Sequence, residues 1–377
     1  MPLKKKISMF VNIDKYFFSH RLPIAQAAKK NDFEMTVYAE FTQTNKDTSI
    51  NDFNLLNSPL KRSSKSIFSI MLELFKAYRL IKKDKPSLIH AVTIRPILIL
   101  GIIARLTSIP FIGSFAGLGP VFTAKSYVQK IRLFIILRIL KFIFSRNNSG
   151  IICQNTSDRS LLEGLGVASK KDMLLIRGSG VNLEKFSPLQ KRNTTEKYIL
   201  MSSRILLDKG IKEYCLAAKK VRQKFGNDIK FKLSGMIDSF SSSGLSQNEI
   251  DLLTKKYGVE YLGDRDDMPE LLASAMIFVL PSYYPEGLPK VLLEAAASGV
   301  AIITTDHHGC RDAIIDKETG LLIKVKNHES LVIAITKLIE NPALLKDMGN
   351  KARKLAENSF ADSDVVDKHF SLYKQLT

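Results

Sequence analysis

The chain has no tryptophan and only three cysteines in 377 residues. Cys153, Cys215 and Cys310 are odd in number, widely spaced, and never part of a C-x-x-C pair. That excludes a disulfide scaffold and suits a reducing compartment. Long uncharged runs are missing as well. A membrane-spanning helix needs about 20 consecutive apolar residues. The most apolar stretch, residues 125–146, is broken by six Lys/Arg. Short-period repeats and low-complexity tracts are also absent. A hydrophobic content of 45% excludes disorder. At this length an ordinary globular composition implies two domains, with about 75% of the unfolded surface buried.

Acidic residues are scarce in one half only. Residues 1–188 carry 29 Lys/Arg and 12 Asp/Glu, a net +17, whereas residues 189–377 carry 27 and 25, a net +2. Basicity confined to one half points to a polyanionic partner for that half: nucleic acid, an anionic membrane surface or a phosphorylated substrate. Nucleic acid is disfavoured, because no binding motif appears and no basic stretch carries interleaved aromatics for stacking. Residues 125–146 read KSYVQKIRLFIILRILKFIFSR, with no acidic residue. Leu133, Ile136, Leu140, Ile143 and Phe144 recur at helical spacing, interrupted by Lys130, Arg132, Arg138 and Lys141. A basic amphipathic helix of this kind lies in the membrane interface with its cations among anionic head groups. The alternative is a core helix with a solvated basic edge. Lys4, Lys5 and Lys6 precede an apolar run broken by Asn12 and Asp14, with no small-residue cleavage site. This segment reads as a first buried strand rather than a signal peptide, so the expected location is the cytoplasm.

Strand-like runs alternate with amphipathic segments almost throughout. Residues 6–13, 34–39, 87–91, 110–115, 150–154 and 173–176 read as strands, with helices at 22–30 and 67–83 among those between them. After a polar, proline-containing stretch at 187–197 the pattern restarts. Strands are expected at 198–203, 229–234, 260–262, 276–280, 301–304 and 320–323, and helices at 211–225, 268–274, 288–298 and 330–339. The reading is α/β: two Rossmann-like, doubly wound parallel-sheet domains, 1–187 and 188–359, facing a cleft. Residues 360–377 form a terminal amphipathic helix.

The chemistry concentrates in VLPSYYPEGLPKVLLEA, residues 279–295. A buried strand runs into a Pro/Gly loop, and a helix opens near Leu288. Amides at a helix N-terminus beside Gly287 favour an anion, and Pro289 in the first turn loses no needed hydrogen bond. Glu286 and Glu294, eight residues apart, suit hydrogen bonds from sugar or ribose hydroxyls; the bland reading is a cap and a solvated acid. Arg204 and Lys209, five apart in a strand-to-helix loop, suit a diphosphate, Arg204 by bidentate contact and Lys209 as a point charge. Surface cations are the default for either one alone. Gly263, Asp264 and Arg265 follow a short strand within reach of a nucleotide base, or form an ordinary loop. Asp264 to Asp267 reads as helix N-terminal acid rather than a metal-binding pair.

These residues resemble the retaining glycosyltransferases of family 4, which have the GT-B fold. The likeness rests on Arg204 to Gly210, on Glu286 and Glu294 in PEGLPKVLLEA, and on Gly309-Cys310-Arg311-Asp312. Gly178-Ser-Gly-Val-Asn182 also matches, with Asn182 where the family has Asp. By that resemblance Arg204 and Lys209 bind the donor's diphosphate and stabilise it as leaving group. Glu294 holds the ribose, and Glu286 with the Gly287 and Leu288 amides holds the sugar and phosphate. Pro289, Arg265 and Gly178 complete the donor side. Neither a cofactor nor a metal is implied. Phe17-Phe18-Ser19-His20-Arg21-Leu22-Pro23 and residues 115–122 resemble a subgroup acting on polyprenyl-diphosphate-linked sugars. This implies His20, Arg21, Gly117 and Arg95 on the acceptor side; for His20 the alternative is a place in the first turn of a helix capped by Ser19. For His90 a satisfied core histidine is expected.

The resemblance therefore implies transfer of a sugar from a nucleotide-sugar, a UDP-sugar above all, to a lipid-linked saccharide at the inner face of the cell membrane. Transfer to a soluble acceptor, or a non-catalytic membrane-bound GT-B module, are the alternatives. A non-hydrolysing sugar epimerase shares the fold, but no convincing acid/base set is present.

Overall fold

Runs of Ile, Val, Leu and Phe buried on both faces build two parallel sheets in the computed structural model, which describes residues 4–41, 53–61, 66–122, 126–190, 196–238 and 241–377. The first sheet comprises β1 (Lys5–Ile13), β2 (Phe33–Glu40), β3 (Asn54–Asn57), β4 (Leu88–Val92), β5 (Phe111–Phe115), β6 (Ser149–Cys153) and β7 (Met173–Leu175). Its order is β3-β2-β1-β4-β5-β6-β7. The second comprises β8 (Lys197–Ser202), β9 (Ile229–Ser234), β10 (Glu260–Tyr261), β11 (Ile277–Leu280), β12 (Ala301–Thr305) and β13 (Gly320–Ile323), in the order β10-β9-β8-β11-β12-β13. Every pairing is parallel. In each sheet the first strand is internal and the order reverses beside it, as in a doubly wound fold.

Parallel strands covered by helices on both faces lose the polar alternation of a half-exposed strand. All five residues of β4 and all four of β11 are buried. Each large apolar side chain so buried contributes about 2 kcal/mol. Strand β3 escapes sequence reading because NLLN is short and mostly exposed. Helix starts follow local side-chain chemistry. Ser126 with Gln129 and Ser246 with Glu249 form capping boxes, while Asn155, Asn327 and Asn341 each accept an amide two or three residues into their helix.

The chain divides into two units, Met1–Ser179 with Asp362–Thr377, and Gly180–Ala361. The division thus falls before residue 180 rather than after 187. Residues 180–187 are held by the second unit: Val181 N donates to Phe360 O at 2.8 Å, and Arg353 Nη1 donates to the carbonyls of Leu183 and Phe186. Of the expected linker at 187–197, residues 191–195 lie outside the described residues, as does Lys125 of the basic segment. The terminal helix, Asp362–Leu376, belongs to the first unit. There Phe370 and Tyr373 pack on Phe33, and Tyr373 Oη lies 2.7 Å from His90 Nδ1. His90 Nε2 meets Ser114 Oγ at 2.7 Å, so His90 is a satisfied core histidine. By these bounds the first unit carries 30 Lys/Arg against 14 Asp/Glu, and the second 26 against 23.

Candidate active site

The strand ends of the second sheet converge where its order reverses, between β8 and β11. The loop after β8 carries Arg204 and then a short 3-10 turn, Leu207–Lys209, closed by Gly210. Gly210 has φ +83°, and a Cβ there would lie 2.3 Å from Pro281 O, so this loop presses against the one leaving β11. Two hydrogen bonds stitch them: Tyr283 N and Ser282 Oγ both donate to Asp208 O. Here Lys209 is buried, at 5% exposure. Its Nζ donates to Glu286 Oε1 at 2.5 Å and to Oε2 at 2.6 Å. Ser282 Oγ adds a bond of 3.3 Å to Glu286 Oε1. Two residues expected to act on different parts of a ligand are therefore joined to each other.

Arg204 has a partner of its own, donating from Nη1 to Asp238 Oδ2 at 2.7 Å. Its Cζ lies 5.4 Å from the Tyr284 ring centroid, and Lys209 Nζ lies 5.2 Å from the same ring. Tyr284 thus serves both cations as a cation–π partner. Neither Asp238 nor Tyr284 stands out in the sequence. The signal that finds them is position: each follows the carboxyl end of a strand, where ligands gather in doubly wound sheets.

The loop after β12 supports this cluster from below. Gly309 has φ +76°, and a Cβ there would meet Gly287 O at 1.8 Å and Glu286 O at 2.8 Å. Buried Cys310 sits beside the site; burial and the Glu286 carboxylate push its thiol up to about 12, so it is an inert thiol. The helix Lys290–Ala297 opens two residues later than Leu288, with Pro289 as the extended N-cap rather than a member of the first turn. Leu288 itself is buried in the core. Glu294 lies in that helix, partly buried, and burial raises its carboxyl pKa against the opposing pull of Lys290 and Lys185.

Other expected members lie apart. Arg265 forms a bidentate pair with Asp267, at 2.8 and 2.7 Å, so that Asp267 accepts from the guanidinium and makes no side-chain cap on its helix. Gly178 belongs to the first unit, its N–H bonded to Gln154 O. Asn182 accepts the amides of Glu184 and Lys185, a turn that an Asp would form equally well. Among the described residues no three His, Cys, Asp or Glu side chains gather as metal ligands would.

In the first unit, His20 ends the helix Asp14–His20 rather than beginning one. Its Nδ1 meets Ser19 Oγ at 2.6 Å, and its ring stacks on Tyr16. Arg21 is only 1% exposed, and among the described residues its three guanidinium nitrogens have no hydrogen-bond partner. It is not presented to solvent, and it links the helices Asp14–His20 and Leu22–Ala27. Arg95 is tied to buried Glu73 at 2.7 Å. Gly117, with φ +93°, is half-buried in the loop after β5. Lys130, Arg132, Arg138 and Lys141 are all exposed on the helix Tyr127–Phe144. Among the described residues no helix is long and apolar enough to cross a membrane.

Comparison with known proteins agrees with this architecture. Residues 6–155 match the family model described as Glycosyl transferase 4-like, and residues 184–355 match Glycosyl transferases group 1. The chain is 27% identical, over 95% of its length and 96% of the relative's, to a Campylobacter jejuni N,N'-diacetylbacillosaminyl-diphospho-undecaprenol alpha-1,3-N-acetylgalactosaminyltransferase. It is 25% identical, over 82% and 80%, to an Escherichia coli UDP-Gal:alpha-D-GlcNAc-diphosphoundecaprenol alpha-1,3-galactosyltransferase. Among solved structures, sucrose-phosphate synthase from Thermosynechococcus elongatus superposes with TM-score 0.79 at 20% identity, covering 99% of both chains. That likeness carries the fold, and the two doubly wound sheets are the GT-B architecture. Both matched models describe glycosyl transferases and together they span every strand but β7, so the chain belongs to the glycosyltransferases, with a 4-like first half and a group 1 second half.

Proposed function

We propose that this protein moves a sugar from a nucleotide-sugar, a UDP-sugar above all, to a polyprenyl-diphosphate-linked saccharide, with retention of anomeric configuration and without a metal. The observation that carries the reading is the Lys209–Glu286 pair, with Arg204 across the Tyr284 ring, at the switch point of the second sheet. A donor's diphosphate brings negative charge that competes with Glu286 for the buried ammonium. Once released, the carboxylate is available to accept hydrogen bonds from the donor sugar. Charge grows on the diphosphate as the sugar departs, and fixed cations stabilise that change in the transition state. The same two cations supply what a metal would otherwise supply to the leaving group. Glu294 accepts from the ribose hydroxyls, which favour the carboxylate that burial disfavours. Attack from the departing face leaves no carboxylate nucleophile to assign.

The relatives' names, which specify diphospho-undecaprenol-linked acceptors, support a lipid-linked saccharide in surface polysaccharide or glycan synthesis. His20 and Gly117 would meet the acceptor, with Arg21 and Arg95 behind them. The exposed cations of Tyr127–Phe144 would hold the protein on the inner face of the cell membrane.

Transfer from a panel of UDP-sugars to a polyprenyl-diphosphate-linked saccharide, run with and without EDTA, tests this. The expected product keeps the donor's anomeric configuration, forms equally with EDTA, and is lost in Glu286→Ala. Turnover only with soluble acceptors would replace the lipid-linked reading. No turnover with any donor, alongside intact vesicle binding, would sink the enzyme reading in favour of a binding module.

A further inference from the structure

Two helices of the first unit, not one, carry an outward apolar face. The helix Ile67–Asp84 buries Glu73, Ala77 and Ile81 on one side. Its opposite side leaves Phe68 80%, Met71 64%, Leu72 43% and Phe75 58% exposed. The helix Tyr127–Phe144 buries Ile136, Leu140 and Ile143, and exposes Tyr127, Val128, Ile131, Phe134 and Ile135. The helix Ile94–Thr107 packs between them, so the two flank it as parallel rails. Isolated exposed hydrophobics need no explanation, but a cluster of four or five along one helix face does.

Topology sets where these faces lie. Asp84 pairs with Lys6 at the start of β1, and Asn148, just past Tyr127–Phe144, bonds Phe111 at the start of β5. Both helices therefore end at the amino edge of the sheet and begin at its carboxyl edge. Each is 18 residues, about 27 Å at 1.5 Å per residue, against about 17 Å for a five-residue strand. The first turns must overhang the carboxyl edge, and every residue from Ser126 to Arg132 is indeed exposed. The exposed apolar residues concentrate in those leading halves.

The charge pattern selects the occupant. Lys76, Arg79, Lys82 and Lys83 are exposed on one helix and Lys130, Arg132, Arg138 and Lys141 on the other. The carboxylates of the two helices are Glu73, buried against Arg95, and Asp84, paired with Lys6. The Arg79 and Arg138 guanidinium groups lie over the Phe75 and Phe134 rings, at 5.7 and 5.1 Å. On Ile67–Asp84 an apolar leading half is followed by cations, while on Tyr127–Phe144 Lys130 and Arg132 lie among the exposed apolar residues and Phe142 continues them beyond Arg138. Apolar side chains flanked by cations, with every carboxylate paired, match an anionic bilayer surface.

We infer that Ile67–Asp84 is a second membrane rail, and that the first unit docks tilted, with the carboxyl edge of its sheet turned towards an anionic lipid surface. This rests on the membrane reading of Tyr127–Phe144 and adds to it both a second contact and an orientation. The helix ending in His20 and the loop bearing Gly117 follow the carboxyl ends of β1 and β5, so the tilt brings them to the lipid surface.

The absence of tryptophan provides the test, because one introduced indole reports alone. Phe75→Trp and Phe134→Trp place it on either rail; Leu252→Trp, at a 70% exposed position of the second unit, is the control. With phosphatidylglycerol vesicles carrying brominated acyl chains, both rail reporters should shift to the blue and be quenched, and the control should not. The Phe68→Ser/Phe75→Ser double variant should partition at least about tenfold more weakly. Far-UV circular dichroism of each variant checks folding, and if Phe75→Trp alone misfolds, Phe68→Trp replaces it. Quenching of Phe134→Trp without Phe75→Trp overturns the second rail and leaves the first standing. Quenching of neither overturns both. Equal binding to pure phosphatidylcholine overturns the anionic preference. A vesicle-free dimer with the Phe75→Trp reporter already buried would make this face a subunit contact instead.

Discussion

Lys209 Nζ lies 2.5 and 2.6 Å from the two carboxylate oxygens of Glu286, a contact that spans 77 residues of sequence. Its side chains are 7% and 20% exposed, so the pair is largely desolvated. Removing one partner leaves the other buried and uncompensated, whereas removing both does not.

A double-mutant cycle should expose that asymmetry. Glu286→Ala and Lys209→Met should each destabilise by about 2–4 kcal/mol in urea unfolding, and the double variant by clearly less than their sum. Additive losses would show that the pair is not coupled. In transfer assays Lys209→Met should lower kcat by about 100-fold or more, the scale for losing one charge stabiliser of a transition state.

Gly309→Ala should act on the site without contacting any ligand. The new methyl would lie 1.8 Å from Gly287 O, and residue 309 has φ +76°. Relief requires moving the Glu286–Gly287 backbone. The expected result is a stability loss of about 1–3 kcal/mol and a larger fractional loss of nucleotide-sugar affinity, read by calorimetry. Unchanged affinity would dissociate this loop from the site.

Glu294→Gln should separate stability from binding. Burial raises the Glu294 carboxyl pKa, so the ionised form is the disfavoured one in the folded chain. A raised folded pKa contributes stability at low pH that is lost as pH climbs through it. At neutral pH, removing the charge should therefore raise Tm while weakening nucleotide binding by about tenfold, the scale of one charge-assisted hydrogen bond. A lower Tm would mean that Lys185 and Lys290 outweigh burial.

Acid sensitivity should centre on His369. Burial first, then the Arg21 guanidinium, lowers its pKa from 6.5 to about 3. Here the unfolded chain binds the proton more readily, so stability is complete above about pH 6.5 and drains away as pH falls towards 3. His90, lowered in the same direction by burial and by His369, adds to the effect. In His369→Leu the acid-unfolding midpoint should move to lower pH; an unmoved midpoint would assign acid lability elsewhere.

The strands were legible where their apolar pattern was clear. Residues 320–323 match β13 as a short apolar run, and residues 229–234 match β9 through the alternation of IKFKLS, whose Lys230 is exposed. Strand β3 was not, since NLLN carries too little apolar pattern. Arg204, Lys209, Glu286 and Glu294 were legible by residue type and loop position, but their partners were not. Asp238 and Tyr284 are ordinary residues until the ends of β9 and β11 bring them to Arg204.

Sequence alone determined the two doubly wound sheets, the concentration of positive charge in the first half, and the cations and carboxylates after β8 and β11. These follow from periodicity, composition and local spacing, which are properties of neighbouring residues. Tertiary structure alone decided that Lys209 neutralises Glu286, that Arg21 is sealed inside, and that residues 67–84 leave a second apolar face uncovered. Each of these depends on which distant segment lies opposite a side chain. Desolvation and pairing act through space, and the separation along the chain does not encode them.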